Sequence, residues 1–132
     1  MTLGVLEDHD LYELAGEVVT AQGSGVTNAQ INGLLAVIRA SESYASLRKM
    51  TQHQREKARK DGDRGAERAA FYDRLFKALT QVEAHAHAYV GTRYPDLENK
   101  KQRKAHKDLW SGRFALILMT HVAAEHQYRS DK

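Results

Sequence analysis

The run Ser111-Gly-Arg-Phe-Ala-Leu-Ile-Leu-Met-Thr-His-Val-Ala-Ala-Glu-His-Gln-Tyr128 most constrains what this chain can fold into. Phe114, Ile117, Leu118 and Val122 recur at helical spacing, and Ala115, Leu116, Met119 and Ala123 fill the neighbouring angle. A surface helix keeps its apolar residues to one stripe. A helix apolar over most of its circumference is enclosed by other helices. The apolar stretch from Phe114 to Met119 is far short of the roughly 20 residues that span a bilayer, and His121 and Glu125 follow at once. The pattern predicts the central post of a small helical bundle, with a one-sided surface helix as the competing reading.

At 132 residues the chain predicts one domain, 1–132, burying about two-thirds of the surface its unfolded form exposes. It needs no disulfide or metal staple at that size, and it has no cysteine. Thiolate chemistry and cysteine-based zinc sites are thereby excluded, and a reducing cytoplasm is the compartment expected. Met1 to Glu7 carries no basic residue and no apolar segment long enough for export, and no membrane association is expected. One proline and long Ala/Leu/Glu/Lys/Arg stretches predict an all-α fold, a bundle of about five helices around the C-terminal one.

The first helix is expected from Asp8 or Asp10, with Leu11, Leu14, Ala15, Val18 and Val19 on its apolar face and Gly23-Ser24-Gly25 as its stop. Thr27-Asn-Ala-Gln30 is a capping box that opens the second, flanked by Val26 and Ile31 as a hydrophobic staple. Ile31, Leu34, Leu35 and Ile38 make its buried face, and Gly33 within it suggests a close helix contact. Ser41-Glu42-Ser43 marks a break before Tyr44, Leu47 and Met50. From Thr51 to Lys60 no large apolar residue occurs, so this segment is expected to project into solvent, rest on a polar partner or fray. Gly62-Asp-Arg-Gly65 is a turn. A fourth helix should run from about Ala66 to Val90, with Tyr72, Leu75, Phe76, Leu79, Val82, Ala86 and Tyr89 as its core stripe and Gly91 closing it. Asn99 to Lys107 reads as a short basic helix or loop that precedes the central helix.

Metal and nucleophile chemistry find little support. His85 and His87 diverge by about 200° on a helix and cannot chelate one ion together. His121 and Glu125 lie one turn apart on one face, but neither Glu-x-x-His pairs nor His-Glu-x-x-His occurs. Nucleophile-elbow and phosphate-loop motifs are also lacking. No cofactor, metal or catalytic residue is expected.

The charge distribution says more than its net value of +3. Up to Ser46 the one cation is Arg39, against Glu7, Asp8, Asp10, Glu13, Glu17 and Glu42. From Arg48 to Arg68 and from Lys100 to Arg113, bases outnumber acids. Such asymmetry points to an anionic partner, most often nucleic acid, with a solvated charged face as the alternative. Arg48, Gln52, Arg55 and Arg59 fall on one helical face, in a row on the order of 16 Å long. Lys49, Lys57 and Lys60 broaden it, and Arg64 and Arg68 continue it. Lys100, Lys101, Arg103, Lys104 and Lys107 form a second cluster. Few aromatics interleave, so contacts to phosphates without base reading are expected. Replacing Arg48, Arg55 and Arg59 with alanine is expected to shift stability by less than about 0.5 kcal/mol, as exposed changes do.

Val26-Thr-Asn-Ala-Gln-Ile-Asn-Gly-Leu-Leu, the preceding Glu17-Val-Val, and the terminal Thr120-His-Val-Ala-Ala-Glu-His-Gln-Tyr-Arg-Ser-Asp-Lys132 resemble the small subunits of type III-A (Csm) CRISPR–Cas effector complexes. The likeness covers both ends of the chain and the helix plan. Asn32 stands where that family usually has a basic residue, and Ala124 where it has an aromatic. The resemblance implies a non-catalytic role in antiviral defence. The partners it implies are guide RNA, target RNA, other effector subunits and further copies of the chain stacked as a minor filament. A helical DNA-binding regulator and a metal-dependent bundle enzyme using His121 and Glu125 are the rival functions.

Overall fold

A computed structural model describes residues 8–19, 25–41 and 43–130. Five α-helices follow one another: α1 (Asp8–Val18), α2 (Asn28–Ser41), α3 (Tyr44–Lys60), α4 (Ala66–Arg93) and α5 (Lys100–Ser130), with a 3-10 turn at Gly62–Gly65 between α3 and α4. No strand occurs among the described residues. No helix of the described residues is long and apolar enough to cross a membrane.

The expectation of a central helix holds. α5 packs against all four other helices, and Ala115, Leu118, Met119 and Val122 are completely enclosed. Its start differs from expectation. The segment 100–110 is neither a separate helix nor a loop but the first three turns of α5, which runs for 31 residues, about 46 Å. Asn99 explains the early start. Its side-chain Oδ1 accepts from the backbone N–H of Lys101 at 2.8 Å and of Gln102 at 3.2 Å, satisfying donors that a helix terminus otherwise leaves unmade.

α4 and α5 form an antiparallel hairpin, with Phe71 beside His126 at one end and Tyr94 beside His106 at the other. α3 returns along α4, also antiparallel, while α1 packs on α5 and α4, and α2 on α5 and α3. The capping box at α2 forms in full: Gln30 N–H donates to Thr27 Oγ1 at 3.1 Å, and Thr27 N–H donates to Gln30 Oε1 at 2.9 Å. Val26 and Ile31 are both buried. Ser43 caps α3 by accepting from Ser46 N–H, which places the break where the serines predicted it. The expected stop of the first helix at Gly23 and Ser24 lies outside the described residues.

Three details depart from the pattern. Gly91 does not end α4, which continues to Arg93. Gly33 is exposed, and a Cβ built on it meets nothing, so it mediates no close helix contact. The tight approach falls instead at Gly65, where a Cβ would stand 1.9 Å from the Ala58 carbonyl oxygen. In the core, Tyr72, Leu75, Leu79, Val82 and Ala86 of the expected α4 stripe are buried, Phe71 joins them, and Phe76 and Tyr89 are only half-buried.

Candidate nucleic-acid interface

The polar stretch of α3 is where sequence and structure diverge most. It does not project freely into solvent but rests on α4 of the same chain. Leu47, Thr51 and Ala58 are buried against α4, and Thr51 satisfies its hydroxyl on the Leu47 carbonyl at 2.9 Å. Tyr44, at the head of α3, donates its hydroxyl to the Leu79 carbonyl at 2.7 Å. Burial pushes the Tyr44 phenol well above its ordinary range, reinforced by the nearby Glu83 carboxylate, so it stays a neutral donor.

Two arginines of the row, Arg48 and Arg55, pack on α4. The guanidinium carbons of Arg48 and Arg55 lie 4.6 and 4.4 Å from the centre of the Phe76 ring. Both distances are within cation–π range. Arg55 Nη1 and Arg59 Nη2 meet the same oxygen of Asp73, at 3.4 and 3.0 Å. The Arg55 side chain is only 19% exposed. Arginine stems and planes thus supply the contact area that apolar residues supply elsewhere. Arg48 and Arg55 hold α3 on α4, and the neutral effect expected for their removal is corrected accordingly. Arg68 is likewise occupied, in an ion pair with Asp61 beside Gln30 and Tyr72. Lys49, Lys60 and Arg64 remain exposed.

The second cluster is arranged otherwise. Lys100, Arg103, Lys104 and Lys107 share one face of α5, being spaced three or four residues apart. With Glu83 and His87 of α4 and with Asp108, they line one cleft of about 440 Å³. Lys101, a quarter-turn away, is exposed but does not line it. Arg103 is partly engaged, donating from Nη2 to the Leu97 carbonyl at 2.6 Å and from Nε at 3.2 Å, which ties the interhelical turn to α5. His87 Nε2 stands 3.9 Å from Glu83 Oε1. Among the described residues, Lys100, Lys104 and Lys107 meet no carboxylate within ion-pair distance. The cleft therefore holds four cations against two carboxylates, in a concave site where opposing charge is attracted most strongly.

An aromatic group adjoins this region. Tyr94 and His106 stack with centroids 4.4 Å apart, and Tyr89 meets Trp110 edge-on at 4.7 Å. The Arg93 guanidinium holds the Tyr94 phenol below its usual range. Sequence spacing misses this group because its members come from α4, the turn and α5.

The histidines resolve separately. His121 is edge-on to Tyr12 at 5.6 Å, and Glu125 pairs with Arg129 at 2.8 Å. No group of three metal-binding side chains occurs among the described residues. His126, which the sequence does not single out, is buried and donates from Nδ1 to Asn28 Oδ1 at 2.5 Å. Desolvation lowers its pKa, against a smaller opposing effect of the Val26 backbone. It clasps the start of α2 to the end of α5.

No protein-family model matches the chain, and neither the curated proteins nor the solved structures compared with it include a similar one.

Proposed function

We propose that this chain is a non-catalytic RNA-binding subunit of a type III CRISPR effector complex, gripping the backbone of the guide RNA–target RNA duplex without reading its sequence. The observation that carries the RNA reading is the α4–α5 cleft, where Lys100, Lys104 and Lys107 face a shared volume without acidic partners of their own. Ammonium groups so placed suit phosphate oxygens, and interactions of that kind position a duplex without specifying bases. The exposed Lys49, Lys60 and Arg64 would extend the footprint. The assignment to this effector class, with other effector subunits and further copies of the chain as partners, rests on the sequence likeness at α2 and at the end of α5. The rival DNA-binding reading would need a compact recognition helix presented for a major groove. Here α3 is docked along α4 and α5 is enclosed through its C-terminal half, so neither favours that reading.

The test is affinity for two RNA duplexes of unrelated sequence, with wild-type protein and with Lys104→Gln/Lys107→Gln. Equal affinity of the wild type for both duplexes, weakened equally by the substitutions, is expected. A strong preference for one duplex, or affinity untouched by the substitutions, would overturn the reading.

A further inference from the structure

We infer that the α4–α5 cleft takes the phosphorylated end of an RNA strand in preference to its interior. This inference rests on the RNA reading above and goes further by naming which phosphate the site fits. Three features carry it.

The first is shape. A duplex backbone laid along a surface is matched by a row of cations on a convex helix, as the spacing of the α3 arginines suggests. The structure spends those arginines on Phe76 and Asp73. It gathers the cations of α5 into one concave volume of about 440 Å³. That is toward the lower end of the range for small-molecule sites, with room for one nucleotide and its terminal phosphate.

The second is charge. The cleft's four bases exceed its two carboxylates by two, and Glu83 is moreover turned toward His87. An internal phosphodiester brings one negative charge. A terminal phosphomonoester brings about 1.5 to 2 at neutral pH and presents three acceptor oxygens instead of two. The surplus of two positive charges matches the monoester.

The third is donor geometry. Lys104 and Lys107 are flexible point-charge donors on one wall, and Arg103 is held in place by the Leu97 carbonyl. His87 lines the opposite wall from α4. Cations gathered about one volume can surround the three free oxygens of a terminal phosphate. A diester, with two of its four oxygens bonded onward along the chain, would leave some of them unmet.

The experiment measures binding of the full chain to one short RNA in three forms: 5′-phosphorylated, 3′-phosphorylated, and with hydroxyls at both ends. A nucleoside diphosphate serves as a fourth probe. A phosphorylated end should bind about tenfold more tightly than the hydroxyl form, the worth of one added charge-assisted hydrogen bond. Lys104→Gln/Lys107→Gln should erase the difference, while α-helical content stays unchanged. Equal affinity for all three RNAs overturns the end preference and leaves the RNA reading standing. No binding of any RNA overturns both. A nucleoside diphosphate that binds as tightly as the phosphorylated RNA overturns the assignment to a strand end, showing that the cleft serves a free nucleotide.

Discussion

Removing the Phe76 ring probes how the polar part of α3, which holds no large apolar side chain from Thr51 to Lys60, is held to the bundle. Two guanidinium groups lie 4.6 and 4.4 Å from that ring's centre. Each interaction is worth about 1 kcal/mol at a half-buried site. The ring itself is half-buried, and removing its apolar area adds about 1 to 2 kcal/mol. Phe76→Ala should therefore cost about 3 kcal/mol. For 132 residues at about 2.1 cal/mol/K each, the melting temperature falls by about 10 °C. Phe76→Leu keeps most of the apolar area and gives up only the cation–π part, so it should cost about 2 kcal/mol. Thermal unfolding followed by circular dichroism gives the totals, and amide exchange across Tyr44–Lys60 locates the effect. A change in Phe76→Ala below about 0.5 kcal/mol, with α3 protection intact, would refute the idea that the arginine stack docks this helix.

Further outcomes follow from the same arrangement. Arg48→Ala/Arg55→Ala/Arg59→Ala should destabilise by about 2 kcal/mol, measured by urea unfolding, because it strips both stacks and both ion pairs to Asp73. Gly65→Ala should destabilise by more than about 2 kcal/mol through its clash with the Ala58 carbonyl, whereas Gly33→Ala should stabilise by up to about 1 kcal/mol; melting temperatures of the pair check both signs. His126 has a pKa below the ordinary histidine value when folded, so the unfolded chain binds more protons as pH falls. Stability contributed by its neutral form is full above about pH 6.5 and declines below it, and His126→Gln should flatten that decline in unfolding curves taken from about pH 7.5 to 5. Treatment with a chelator should leave RNA affinity unchanged, and stoichiometric zinc or iron lost together with an enzymatic activity would contradict the non-catalytic reading.

What is legible in the sequence is local. The Thr27–Gln30 box, the break at Ser43 and the enclosed face of α5 each depend on residues within one or two turns, so spacing alone identifies them. The docking of α3 is not legible, because Phe76 and Asp73 lie far along the chain and an arginine looks equally polar whether solvated or stacked. The early start of α5 depends on the Asn99 cap, which precedes a polar segment without core periodicity. For the site, the second basic cluster is visible as composition. Its concavity is not, since Glu83 and His87 arrive from another helix. The clasp between His126 and Asn28 joins residues 98 positions apart and carries no local signal.

The salt dependence of RNA-duplex binding reports whether the α5 lysines meet phosphates. Each lysine that no longer neutralises a phosphate removes about 0.7 to 0.9 from the slope of log affinity against log salt concentration. With Lys100, Lys104 and Lys107 all replaced by glutamine in an otherwise folded chain, the slope should fall by about two units. An unchanged slope, with helical content and melting temperature preserved, would show that the cleft between α4 and α5 is only a solvated charged surface.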